Sequence, residues 1–480
     1  MKRKFVTNLI LLISLNLLIK PFWILGIDRS VQNLVGDESY GMYFALFNFS
    51  LLLNILLDVG ITNFNNKNIA QHNFLLKKHL SNIIGLKFML AIVYAIFSLV
   101  VAFIIGYDKI QLHLLFFLIF NQFLISFTLY LRSNISGLHL FRTDSILSVL
   151  DRSIMIVICS LLLFTSYFKK HFSIEWFVYA QTAAYVITAL VTFFIVLNKT
   201  GKIRLRFDRK FIIVFLRKSY PYAILILLMG FYNRIDGVML ERLLPEPLGK
   251  QQAGIYAQAF RLLDAVSMFG VMVAGLLLPI FAKMIKQREP VAQMIKLSFT
   301  FLFVTAVVVA VSSIFYCNQI MEVLYHSNTE HSSELLGILM TGFIGIVTTY
   351  VFGTLLTANG SMKQLNIMAF AGMVINVSLN LYLIPRYQAF GSAYASLFTQ
   401  IITAIAQVIL VTMVFKLKPN YLFLLKLVIF AGITVVFAFI SQYFTNWFAG
   451  YFFLIVVSVL ASFLLRLFSV GELFKLISAR

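Results

Sequence analysis

The sequence predicts an all-α polytopic membrane protein of about fourteen transmembrane helices. Three observations predict it. Hydrophobic residues make up 61% of the 480 and charged residues only 12%, where soluble globular domains are nearer half apolar and a quarter charged. The mean hydropathy is accordingly +0.92. The apolar residues fall into runs of about 20, the length that crosses hydrocarbon as a helix. The segments between runs alternate between many and few basic residues. These features exclude a water-soluble enzyme, a disordered chain and a disulfide-rich secreted module. Cys159 and Cys317 both sit in apolar runs and form no motif.

Fourteen runs qualify, at 8–27, 40–63, 83–106, 112–134, 146–167, 176–197, 219–240, 253–277, 294–317, 334–358, 364–384, 391–415, 421–443 and 446–467. The first lacks a small-residue cleavage site and other spans follow at once, so it reads as a span rather than a signal peptide. With the N-terminus inside and strict alternation, the inner segments hold 26 Lys and Arg and the outer segments 7. That asymmetry is the positive-inside pattern, and it places both termini in the cytoplasm. It also explains the net charge of +21 without a nucleic-acid partner. The longest basic stretch runs from Lys199 to Lys210 and reads as a cytoplasmic linker resting on anionic headgroups. The expected organisation is an N-terminal lobe at 1–198, the linker at 199–218, a C-terminal lobe at 219–415, and a last pair of spans with a cytoplasmic tail at 416–480.

The two six-helix halves resemble each other where their first hairpins turn. Ile27-Asp28 is followed by Gly41-Met-Tyr43 and Phe47; Ile235-Asp236 is followed by Gly254-Ile-Tyr256 and Phe260. The extra residues of the second copy fall in the outer loop around Pro245 and Pro247. Six plus six helices in the same orientation form a parallel repeat, the kind of transporter that binds substrate between its halves.

A charged side chain in hydrocarbon costs about 2.5–3.5 kcal/mol on insertion scales, so each is a candidate functional residue. Lys20, Arg234 and Arg261 all fall roughly 9–12 Å below the outer ends of their runs at 1.5 Å per residue. Together they read as a cationic cavity that binds substrate. Arg261 and Asp264 are also i,i+3 on one face and can neutralise each other. Asp58, Lys87, Asp151 and Arg152 fall near the cytoplasmic ends of their runs; Lys87, Asp151, Arg152 and Lys426 are expected to snorkel to the inner surface. Lys20 precedes Pro21, which is expected to break span one. Span two carries Asn54 and Asp58, span eight Gln258, Arg261 and Asp264, and span eleven Asn376 and Asn380; for the Asn pair the reading is interhelical hydrogen bonding.

There is no zinc-ligand spacing, P-loop, nucleophile elbow or His-Glu-x-x-His. Transport by this chain must therefore draw on an ion gradient, the membrane potential or the substrate's own gradient. One enzymatic alternative is a membrane glycosyltransferase using lipid-linked sugars, with Asp28, Asp37 and Glu38 in an early outer loop. Against it, the longest expected outer loop, around 318–333, is short. The other alternative is a cation-coupled exporter of small molecules.

Three stretches resemble the oligosaccharide flippases of the multidrug/oligosaccharidyl-lipid/polysaccharide (MOP) exporter superfamily, the polysaccharide-biosynthesis export proteins. Phe231 to Leu240 with Ala253 to Leu262 is similar to the family's seventh-to-eighth span pattern. Met373 to Ala395 is similar to its eleventh-to-twelfth span pattern, and Leu57-Asp58-Val-Gly60 to the end of its second span. The resemblance implies two pseudo-symmetric six-helix lobes, a MATE-like fold, and alternating access in the bacterial inner membrane. It implies a non-enzymatic flippase whose substrate is undecaprenyl-pyrophosphate carrying a sugar repeat unit. Its partners would be that lipid-linked oligosaccharide, membrane lipids, and the polymerase and glycosyltransferases of the pathway. Lys20, Arg234 and Arg261 would hold the pyrophosphate. Asp58, Asp236 and Asp264 would bind a coupling cation, proton or sodium, or pair with the arginines. No other cofactor and no metal is implied. Multidrug exporters of the superfamily usually have twelve spans, so spans thirteen and fourteen argue against that branch.

Overall fold

A computed structural model describes residues 11, 14–62, 65, 69, 76–138, 140–200, 209–417 and 420–467. Residues 1–10, Lys67, the linker residues 201–208 and the tail 468–480 lie outside the described residues. Among the described residues all regular structure is helical: α1 (14–22, continuing into a π-helical turn Trp23–Asp28), α2 (Arg29–Leu52), α3 (Leu76–Ile105), α4 (Lys109–Gly137), α5 (Phe141–Phe164), α6 (Ser166–Lys170), α7 (Ile174–Thr200), α8 (Arg209–Leu243), α9 (Leu248–Lys286), α10 (Ala292–Phe315), α11 (Cys317–Leu324), α12 (Thr329–Ala358), α13 (Met362–Phe415), α14 (Tyr421–Ser441) and α15 (Trp447–Leu464). Eleven of them are long and apolar enough to cross a membrane. The 54-residue α13 carries two of the expected spans, joined at Gln388, where φ is 52° and ψ is −129°. The first expected span is α1 with the start of α2 and the second is the rest of α2, the two meeting where Gly36 takes φ 79°. A positive φ is costless only for glycine, so this sharp turn needs no loop. Every expected span therefore has its helix.

The helices sort their residues for lipid. On α3 the stripe Phe88, Ile92, Ile96 and Phe103 is 49–77% exposed, while Leu80, Ile83, Leu90 and Tyr94 on the opposite side are buried. An exposed apolar stripe of this length is stable only against acyl chains.

Several boundaries differ from the apolar runs. Span one does not end at 27 but stays helical to Val35. Pro21 does not break it. The helix instead widens just beyond, and Arg29 N–H reaches back five residues to the carbonyl of Ile24. Span two does break, at a 3-10 turn Asn54–Leu57 followed by positive φ at Val59 and Gly60. The expected outer loop at 318–333 is half helix, α11.

The chain divides into two compact units, Met1–Gly254 and Ile255–Arg480. In the first, α8 lies against α2: a Cβ at Gly237 would stand 2.7 Å from the Phe44 ring. The start of α9 crosses α2 closer still. A Cβ at Gly41 would run into the carbonyl of Lys250 and the amide of Gly254, and one at Gly254 into the carbonyl of Asp37. Gln32 Nε2 donates to the Gly254 carbonyl at 2.9 Å beside that crossing. Thus the matched glycines of the internal repeat meet. The matched rings also repeat their geometry, with Tyr43 stacked on Phe47 at 5.8 Å and Tyr256 on Phe260 at 5.5 Å.

In the second unit, α14 and α15 pack on α10 through Val304, Val307, Phe430 and Leu454. Tyr316 pins them by donating to Ser441, with O···O distances of 3.0 Å to its carbonyl and 2.9 Å to its hydroxyl.

Candidate functional site

Span one fixes which way its lysine points. Leu18 and Phe22 are 72% and 56% exposed and face lipid. Asn16, Lys20, Trp23 and Ile27 follow helical spacing on the other side, where Trp23 and Ile27 are buried. Asn16 Nδ2 donates to Ser148 Oγ on α5 at 2.9 Å. Spans one and five run the same way, and Lys20 and Arg152 each stand four residues beyond that bond. One turn along parallel helices puts both cations at one level. The charges acting on Lys20 are Arg152, Asp151 and Arg132. Among the described residues no carboxylate lies within ion-pair distance of Lys20. Arg132 has its own partner, Asp144, at 2.8 Å.

Arg152 was expected to snorkel to the inner surface, and it does not. α5 begins at Phe141, five residues before the apolar run, so Arg152 lies at mid-helix. Its guanidinium is held between Trp23 and Tyr185, at 5.5 and 5.8 Å from the ring centres. Asp151 Oδ2 is 3.7 Å from its Nε. Sequence depth missed this residue because the polar start of α5, Phe141-Arg-Thr-Asp144, looked like a loop. The signal that could have found it is Asp144, an acidic residue in a helix first turn.

Asp28 was read as lying in an outer loop. It instead ends the π-helical turn, is 3% exposed, and accepts a hydrogen bond from Tyr40 at 2.7 Å. Asp37 is likewise buried in α2, and only Glu38 is exposed. An outer-loop acidic cluster to activate an acceptor sugar is therefore not formed by these three. Near Asp28, Gln181 donates to the Tyr43 hydroxyl at 2.9 Å.

Lys87 does not snorkel either. It is 1% exposed, and its ammonium donates to Asp58 Oδ1 at 2.6 Å, to the Leu57 carbonyl at 2.9 Å and to Ser126 Oγ at 2.9 Å. Asp58 also accepts from the backbone and hydroxyl of Thr62. The cluster satisfies the backbone that the break in span two sets free, and it pairs Asp58 with a lysine rather than an arginine.

The other candidates divide between the units. Arg234 and Asp236 are in the first, with Asp236 1% exposed; Arg261 and Asp264 are in the second and pair at 3.7 Å. Gln258, on the polar face of α9, donates to the Ser327 carbonyl at 3.2 Å. Asn380 donates to the carbonyl and side chain of Asn376 one turn before it, a bond within the helix rather than between helices. The helices outrun the apolar runs, so the three cations lie further from their helix ends than from the ends of those runs. Lys20 stands sixteen residues before Gly36, Arg234 nine before Leu243 and Arg261 thirteen after Leu248, or about 14–24 Å along their helices.

A bundle of this kind, with eleven helices long and apolar enough to cross a membrane among the described residues, defines a multi-pass membrane protein, and its fold is that of solved MOP superfamily structures. The chain is similar in structure to the lipid II flippase MurJ in an inward closed conformation, at a TM-score of 0.71 and 16% identity, over 96% of this chain and 99% of that one. It is similar to an inward-facing multidrug resistance MATE transporter at 0.62 and 14%, over 85% and 98%. It is also similar to a MOP superfamily transporter from Pyrococcus furiosus at 0.56 and 15%, over 85% and 94%. No curated protein is similar enough to count as a relative. The model of the family described as polysaccharide biosynthesis protein matches residues 5–285, more than half of the sequence, and the chain belongs to that family.

Proposed function

We propose that the chain is a flippase that carries an undecaprenyl-pyrophosphate-linked oligosaccharide from the cytoplasmic to the periplasmic leaflet of a bacterial inner membrane. It works by alternating access, without catalysing a covalent step. The observation that carries this reading is Lys20. An ammonium deep in a span, turned from lipid and with no carboxylate within ion-pair distance among the described residues, is stabilised where an anion or water visits it. In a polysaccharide biosynthesis protein, the anion that fits is the pyrophosphate of a lipid-linked sugar. Arg234 and Arg261 are proposed to bind the same headgroup, with Arg261 exchanging Asp264 for phosphate. The repeats 1–198 and 219–415 are proposed as the two alternating halves. Asp236, buried, is the candidate for a coupling proton or sodium; Asp58 is tied to Lys87.

Coverage favours the flippase over the exporter. The fold matches the lipid II flippase over nearly the whole chain and the MATE transporters over less of it. The test is complementation of a deletion strain with Lys20→Gln, Arg234→Gln and Arg261→Gln. The expected result is loss of surface polysaccharide with lipid-linked intermediate accumulating in the cytoplasmic leaflet. Normal polysaccharide with altered dye efflux would instead identify an exporter.

A further inference from the structure

We infer that Arg152 is the second cation of the headgroup site, binding the pyrophosphate together with Lys20. This rests on the function proposed above and extends it to a residue that depth along the sequence assigned to the membrane surface.

Four observations lead there. Lys20 and Arg152 stand at one level on neighbouring parallel helices, one turn beyond the Asn16–Ser148 bond. Like charges brought together in hydrocarbon repel, and an anion shared between them relieves that repulsion. Asp151 is the carboxylate beside Arg152, at 3.7 Å, too long for a charge-assisted hydrogen bond, which runs at about 2.7–2.9 Å. Asp28 is the other carboxylate acting on Arg152, and the Tyr40 hydroxyl already occupies one of its oxygens at 2.7 Å. A pyrophosphate supplies at least two charges and several acceptor oxygens.

The guanidinium is also prepared for that role. Trp23 and Tyr185 hold it by their ring faces, a cation–π arrangement that fixes its plane and leaves its N–H edge for a ligand. One N–H contact is already filled weakly, Nη1 to Met155 Sδ at 3.5 Å. The side chain keeps 25% of its surface exposed and Asp151 24%, so the group is reachable. A purely structural arginine in a span would be fully paired and closed off, as Lys87 is.

The experiment titrates purified full-length protein in nanodiscs with undecaprenyl pyrophosphate, and with undecaprenol as the uncharged control, reading bound lipid by native mass spectrometry. Arg152→Gln is expected to weaken undecaprenyl pyrophosphate at least tenfold, as Lys20→Gln does, and to leave undecaprenol unchanged. Asp151→Asn is expected to tighten undecaprenyl pyrophosphate at least threefold, because it removes the carboxylate that competes for the guanidinium. A structural ion pair would give no such gain. If Arg152→Gln does not fold, Asp151→Asn decides alone, and unchanged or weaker binding overturns the inference. Binding by Arg152→Gln within twofold of wild type, with Lys20→Gln impaired, overturns the role of Arg152 and leaves the proposed function standing. A wild-type protein that does not prefer the pyrophosphate over undecaprenol overturns both.

Discussion

Replacing Lys87 by methionine removes the ammonium but keeps most of the apolar stem. Its three hydrogen bonds, to Asp58, Leu57 and Ser126, are all 2.9 Å or shorter. Breaking a buried ion pair from one side costs about 3–5 kcal/mol, because the remaining charge stays buried. Asp58 is 29% exposed and keeps its bonds from Thr62, so the lower end applies to the pair. The orphaned Leu57 carbonyl adds about 1 kcal/mol, the low end for a buried unsatisfied group. The expected loss is thus roughly 4 kcal/mol from these two sources. Adding Asp58→Asn removes the stranded charge, and the double variant should recover at least half of that loss. The assay is equilibrium unfolding in mixed micelles, with helicity and retention of the monodisperse peak as readouts. Wild-type stability in Lys87→Met, or a double variant no better than the single one, would refute the assignment of this cluster as the clamp on the break in span two. Transport by the stable double variant then separates roles: retained transport makes Asp58 structural, and lost transport makes it a coupling residue.

Gly41→Ala and Gly254→Ala each place a methyl group against backbone that cannot swing aside, so each should lower stability by about 1–3 kcal/mol in the same assay; Gly230→Ala, which meets nothing within 4 Å, is the matched control and should be neutral. Tyr316→Phe removes the hydroxyl that pins Ser441 and should cost about 1 kcal/mol, read as earlier protease cleavage between α14 and α15. Cys317 is partly accessible and Cys159 buried, so an impermeant maleimide added to intact spheroplasts should label Cys317 alone. Labelling only after permeabilisation would invert the orientation. Burial pushes the Cys317 thiol above its ordinary value, which lowers the thiolate fraction at neutral pH. Labelling should therefore still be accelerating at the pH where a free thiol is half ionised.

The spans were legible because hydrocarbon demands about 20 apolar residues in a row and tolerates few exceptions. Their ends were less so. Residues 29–35 and 141–145 are polar enough to look like loops, yet both are helical, since a helix end is free to extend once it leaves the lipid. That shortfall moved Arg152 from the surface to mid-helix. Lys87 was misread for a different reason. Its partner Asp58 is 29 residues away and meets it only through tertiary packing, which periodicity within one helix does not encode. The repeat could be read from a few residues because those residues have a job. Gly41 and Gly254 admit a neighbour's backbone, and Tyr43–Phe47 and Tyr256–Phe260 stack alike.

That crossing of matched glycines bears on ancestry. If the repeat arose by duplication, a single six-helix chain pairing with a copy of itself would have set this residue opposite itself. Any side chain added there would have been added on both sides at once, so the position was doubly intolerant from the start. Fusion loosened that rule only formally: either glycine is now free to mutate alone, but each still faces the other's main chain.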